Sequence, residues 1–181
     1  MYSQKEGARE TLQKIVDMAE EQRAFVYENQ GNLFFILSPS KTRSTQNEKT
    51  ALIIAQNAKE ILDHHNKIFK VRIDYGISLN RGSIIAKQER DVFMFMGLGN
   101  FLNETKKISN TAQQDIFLGE KMNEKLSSEI KTEKHKRDGV TVFLMREMKS
   151  KTNHENFLKS FVARQEKEFK PDENQENKDL F

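Results

Sequence analysis

The sequence predicts an α+β fold, with helices packed on a mostly antiparallel or mixed sheet. Three observations carry this. Two long stretches place apolar residues at spacings of three and four with charges between them, the period of amphipathic helices. The stretches between helices are short, apolar and joined by turns rich in Gly and Asn, so they read as hairpins. The apolar runs are also short, as in Leu33-Phe34-Phe35-Ile36-Leu37. None approaches the roughly 20 residues that span a bilayer.

Along the chain, Ala8, Leu12, Ile15, Val16 and Ala19 mark the inner face of a first helix, from about Gln4 to Arg23. Ala24–Tyr27 and Leu33–Ser38 flank Asn29-Gln30-Gly31-Asn32, whose residue types tolerate the positive φ of a tight hairpin turn. Pro39–Lys49 is polar and reads as a loop. Ala51, Ile54, Ala55, Ala58, Ile61 and Leu62 form the face of a second helix, about Thr50 to Asn66. Strands are expected at Val71–Ser78, Ser83–Lys87 and Val92–Met96. A helix follows at about Asn100–Ser109, then a strand at Ile116–Leu118, a short helix at Gly119–Leu126 and a strand at Gly139–Met145. Ser127–Asp138 is highly charged and reads as a loop. The expected domain is 1–150. Residues 151–169, with Phe157, Leu158, Phe161 and Val162 on one face, form an expected amphipathic helix, and 170–181 a disordered polar tail.

Composition narrows the function. The chain has 181 residues, no Cys, and 13 Phe with which to build a core. Without Cys there is no disulfide framework and no thiolate metal site or nucleophile. The first residues lack the apolar core of a secretory signal, so a cytoplasmic protein without membrane association is expected. Lys and Arg number 30 against 27 Asp and Glu, net +3, evenly spread. That balance disfavours a nucleic-acid groove, the third functional class considered.

The order of elements resembles the catalytic domain of class III nucleotide cyclases, in the cyclase-homology branch of the ferredoxin-like sandwiches. The hairpin Val26–Leu37 resembles the family's strand–turn–strand, which normally carries Gly-Asp at its turn. Val71-Arg72-Ile73-Asp74-Tyr75-Gly76-Ile77 resembles the family's R-I-G-I strand, and Asn80-Arg81-Gly82-Ser83-Ile84 its continuation. Phe95-Met96-Gly97-Leu98-Gly99-Asn100-Phe101-Leu102-Asn103 resembles V-I-G-D-x-V-N, and Ile116-Phe117-Leu118-Gly119-Glu120 resembles I-L-V-S-E. The likeness covers roughly Lys5 to Leu144.

The resemblance implies a two-metal cyclisation of a nucleoside triphosphate at a dimer interface. Two aspartates hold the metals in active members. Here the hairpin position is Asn32, a neutral amide, and no strand with an Asp precedes the first helix in this sequence. No metal ligand is therefore assigned. The family's transition-state Asn and Arg fall on Asn103 and Lys107, one helical turn apart, and Lys lacks the bidentate fork of Arg. Glu28 falls where the family reads the purine edge, and Met96 where a polar partner is usual. The nucleotide-binding candidates are thus Glu28, Asn32, Asn100, Asn103 and Lys107, with Asn103 and Lys107 as vestigial catalytic residues. The implied function is an inactive cyclase-like regulatory, nucleotide-binding or dimerisation module in signalling. The alternative is one half of a heterodimeric cyclase that supplies Asn103 and Lys107. Partners would be a second copy or another cyclase-like chain, with a purine nucleotide as ligand. Mg²⁺ or Mn²⁺ would act only in an active complex.

Other motifs have plainer readings. Gly97-Leu98-Gly99 lacks the third Gly of a dinucleotide fingerprint and the Lys-Ser/Thr of a P-loop, and reads as a strand-to-helix turn. His64-His65 reads as a helix-end cap or solvated surface.

Overall fold

The computed structural model describes residues 2–83, 85–89, 92–96 and 99–149. The expected helix at 151–169, the tail at 170–181 and the Gly97-Leu98 pair lie outside these residues. The element order is α1 (Tyr2–Glu21), β1 (Phe25–Asn29), β2 (Asn32–Ile36), α2 (Pro39–Thr42), α3 (Asn47–Ile68), β3 (Ile77–Leu79), β4 (Ile85–Glu89), β5 (Val92–Met96), α4 (Gly99–Asn110), β6 (Ile116–Leu118), α5 (Glu120–Leu126), β7 (Ile130–Arg137) and β8 (Val140–Met148). The fold is α+β, as expected.

The main sheet has four strands in the order β3-β6-β8-β7 and is mixed: β3 and β6 are parallel, the other pairs antiparallel. Its core follows from alternation. Ile116 and Leu118 of β6 point to one face and join Leu52 and Ala55 of α3 and Met122 and Leu126 of α5. Phe117 points to the other face and joins Ile108 of α4, Ala112, Val142 and Leu144. β6 is buried on both faces, which explains its unbroken apolar run. A separate cluster ties Ile15, Met18 and Ala19 of α1 to Ile54, Ala58 and Leu62 of α3, with Phe35, Leu37, Ile73 and Tyr75 packed against it.

The hairpin β1–β2 pairs in register from Phe25↔Ile36 to Asn29↔Asn32. Gln30 and Gly31 hold φ of 51° and 72°, the two positive values of a type I′ turn. Three of the expected elements need correction. Residues 127–138 are not a loop: Ile130–Arg137 is a full strand. Asp138 and Gly139, at φ 47° and 79°, form a second I′ turn that closes β7 onto β8. β7 is charged because it is an edge strand, where Lys and Glu discourage further pairing. The polar stretch after Pro39 includes the short helix α2. Of the expected strand Val71–Ser78, only Ile77 and Ser78 fall within a ladder strand, β3.

His65 is neither cap nor surface. It is 2% exposed. Its Nε2 lies 3.0 Å from the Val71 carbonyl and its Nδ1 2.8 Å from the Thr11 hydroxyl. A carbonyl only accepts, so Nε2 carries the proton. The ring also stacks on Phe69, with centroids 4.5 Å apart. It thereby joins α1, α3 and the segment after α3. His64, one residue earlier, is exposed. No helix among the described residues is long and apolar enough to cross a membrane.

Candidate functional site

A cavity of about 1520 Å³ lies between the β1–β2 hairpin and residues 73–80. Leu12, Ile15 and Val16 of α1 and Ile54, Ala58 and Leu62 of α3 line one part of it. Phe101, Leu102 and Thr105 of α4 line another. Glu28 and Asn32 are at the hairpin end. The cavity is larger than the 300–1,000 Å³ of ordinary small-molecule sites.

The turn at its mouth is built around side-chain amides. Asn32 Nδ2 donates to the Gln30 carbonyl at 3.1 Å and to the Asn29 carbonyl at 3.4 Å. Asn29 Nδ2 donates to the Tyr27 hydroxyl at 3.0 Å. From α4, Lys106 Nζ donates to Gln30 Oε1 at 2.8 Å and to Asn29 Oδ1 at 3.4 Å. A carboxylate at position 32 could donate neither bond and would face two carbonyl oxygens. The ammonium of Lys106 places a fixed positive charge at the same turn. The turn itself therefore offers a neutral amide and an ammonium, neither of which is the carboxylate oxygen that Mg²⁺ takes from a protein. Among the described residues, no group of three or more His, Asp or Glu is placed to hold a metal ion.

The five sequence candidates separate into two sets. Glu28 and Asn32 border the cavity, the former exposed and the latter half-buried. Asn100, Asn103 and Lys107 follow one face of α4 at spacings of three and four, and all are exposed. They do not line the cavity, which α4 borders with its opposite face. Lys106 was not foreseen. Sequence places two lysines side by side on α4, and only the seating of that helix beside the hairpin decides which one reaches the turn.

A second cluster holds the other side of the cavity. The Tyr75 hydroxyl donates to Asp63, and Lys59 Nζ bonds Asp63 Oδ2 at 2.9 Å and the Gln114 carbonyl at 2.8 Å. Burial favours the neutral acid at Asp63, but the hydrogen bonds from Tyr75 and Lys59 and the nearby lysine charges outweigh it, so its carboxyl sits below the usual value. Burial, reinforced by the bond to Asp63 and that group's charge, holds the Tyr75 hydroxyl protonated well above the ordinary tyrosine range. The cluster pins residue 75 to α3.

No protein-family model matches the chain, and no curated protein matches it. Solved structures do. The dimeric guanylyl cyclase domain of the RhoGC fusion protein from the aquatic fungus Blastocladiella emersonii aligns at TM-score 0.62 and 16% identity, over 78% of this chain and 80% of that one. The guanylyl cyclase Cya2 aligns at 0.61 and 15%, over 79% and 80%. The guanylate cyclase domain of RhGC from Catenaria anguillulae, in complex with GTP, aligns at 0.60 and 13%, over 78% and 82%. The chain has the class III cyclase catalytic-domain fold.

Proposed function

We propose that this chain, which has the fold of guanylyl cyclase catalytic domains, is a cytoplasmic cyclase-like module that does not cyclise nucleotides by itself and acts through association with a second copy or another cyclase-like chain. The observation that carries this reading is the chemistry of the hairpin turn. Asn32 spends its amide on the turn's own carbonyls, and Lys106 adds a positive charge there. Active relatives in the family are expected to hold a metal at that place. Here the same atoms stabilise a type I′ turn instead. Purified protein incubated with MgATP, MgGTP or their Mn²⁺ salts should yield no cyclic nucleotide, and turnover by this chain alone would overturn the reading. A nucleotide-dependent rise in melting temperature without product would show a binding site kept after the chemistry was lost.

A second reading is favoured by one feature of α4. Asn103 and Lys107 stand exposed together, one turn apart, and neither lines this chain's own cavity. They are available to a partner that brings its own metal carboxylates. Complementation decides this. A guanylyl cyclase domain stripped of its transition-state Asn and Arg should regain activity when mixed with this chain, and lose it again with Asn103→Ala.

A further inference from the structure

The end of α3 runs into six consecutive exposed residues, Lys67-Ile68-Phe69-Lys70-Val71-Arg72. Three of them are large and apolar: Ile68 is 60% exposed, Phe69 38% and Val71 40%. The backbone beneath them is fixed. The Phe69 N–H bonds the His65 carbonyl at 2.9 Å, and His65 Nε2 donates to the Val71 carbonyl at 3.0 Å. The Asn66 amide takes both backbone groups of Ile73, accepting from the N–H at 2.7 Å and donating to the carbonyl at 2.9 Å. The Phe69 ring stacks on His65 and lies against Gly7, where a Cβ would come within 3.0 Å of it. Side chains of α3 thus hold residues 71–73 out of the strand that the sequence predicts from Val71. Ile73 turns inward to the α1–α3 cluster, while the residues before it stay outside.

We propose that residues 67–72 are a docking surface for an anionic lipid membrane. Ile68, Phe69 and Val71 enter the headgroup region, and Lys67, Lys70 and Arg72 meet the lipid phosphates and carboxylates. Charge complementarity selects this occupant, since none of residues 64–73 is acidic. So does the interleaving of cations with apolar tips. Lys is depleted from the cores of protein interfaces, whereas at a lipid surface its stem lies along the apolar layer and its ammonium reaches the headgroups. A second copy seated on the same patch would bring like charges together. A nucleic acid would leave three apolar side chains against its phosphates. The expectation of no membrane association rests on spanning and signal segments, which a peripheral contact does not need. None of residues 67–72 lines the cavity or belongs to the hairpin turn or α4, so lipid binding and nucleotide turnover are measured separately.

The chain has no Trp, so Ile68→Trp supplies a single fluorescent reporter on the patch. The full chain is mixed with vesicles of phosphatidylcholine alone or with about a third phosphatidylserine. With the anionic vesicles the emission of Ile68→Trp should move to shorter wavelength, and about 0.5 M salt should reverse the shift. Lys136→Trp, on β7, should show no shift. The unsubstituted chain should sediment with the anionic vesicles. Lys70→Ser and Arg72→Ser should each weaken that binding about fivefold. Ile68→Ser should weaken it at unchanged charge, with the melting temperature kept within a few degrees. The proposal fails if the anionic vesicles cause no shift, or if neutral ones cause the same shift. It also fails if the emission is already at short wavelength in the free dilute chain, which would mean that the chain's own residues cover the patch. A shift that grows with protein concentration without vesicles would assign the patch to a second copy. A shift with polyglutamate and none with vesicles would assign it to an acidic protein. Either result overturns the lipid surface.

Discussion

Asn32 donates hydrogen bonds at a place where a metal site needs an acceptor, and this single side chain separates two kinds of protein. Asn32→Asp should destabilise the chain by about 1 kcal/mol, read from urea unfolding, because two turn carbonyls lose their donor and gain a negative neighbour. It should not create Mg²⁺-dependent cyclase activity. Across the cavity, the Asp63–Tyr75 pair predicts the limits of pH stability. Asp63 and Glu129 have carboxyls held below their ordinary values, the latter by a hydrogen bond from Lys49. Their contribution is complete above the ordinary carboxylate pKa and is lost as pH falls through the lowered folded-state value. Tyr75 is shifted the other way. Its contribution is complete below the ordinary tyrosine value of 10.0 and is lost as pH rises above it. Thermal melts from acid to alkaline pH should show both limbs, and Tyr75→Phe should remove the tyrosine's part of the alkaline one.

Close approach between elements sets the next scale. A Cβ at Gly76 would lie 2.0 Å from the Ser109 carbonyl oxygen at the end of α4, so helix and strand touch there through bare backbone. Gly76→Ala should push α4 outward and cost about 1–3 kcal/mol in denaturant unfolding. That helix also carries Lys106 to the hairpin turn. The same substitution should therefore loosen the turn and speed amide exchange in β1 and β2. Strand β7 shows how an element escapes a reading based on apolar content. Its eight residues include one buried apolar side chain, Ile130. The readable signal was the Asp138-Gly139 dipeptide, a strong short-range mark of a two-residue hairpin. It is followed by the apolar strand that β7 pairs with.

For the whole molecule, two packing units of different cohesion follow from the split sheet. The four-stranded sheet is sandwiched between α3 and α5 on one face and α4 on the other. Leu118, at its centre, is 0% exposed, and Leu118→Ala should cost about 2–5 kcal/mol of global stability. Among the described residues the hairpin has no ladder to that sheet, and it is held through α1, α3, Lys41 of α2 and Lys106. Its amides should exchange faster than those of β6 and β8 in the native state.

Sequence by itself determined the α+β class, the faces of α1 and α3, the β1–β2 hairpin and the neutral residue at its turn. All of these are written within a few residues, in helical period, alternation and turn chemistry. Tertiary structure alone decided that His65 is buried, that Lys106 meets the turn, and that Asn103 and Lys107 face away from the cavity. Each depends on contacts between residues far apart in the chain. Local side-chain pattern cannot encode them, because burial and pairing are fixed by which surfaces meet.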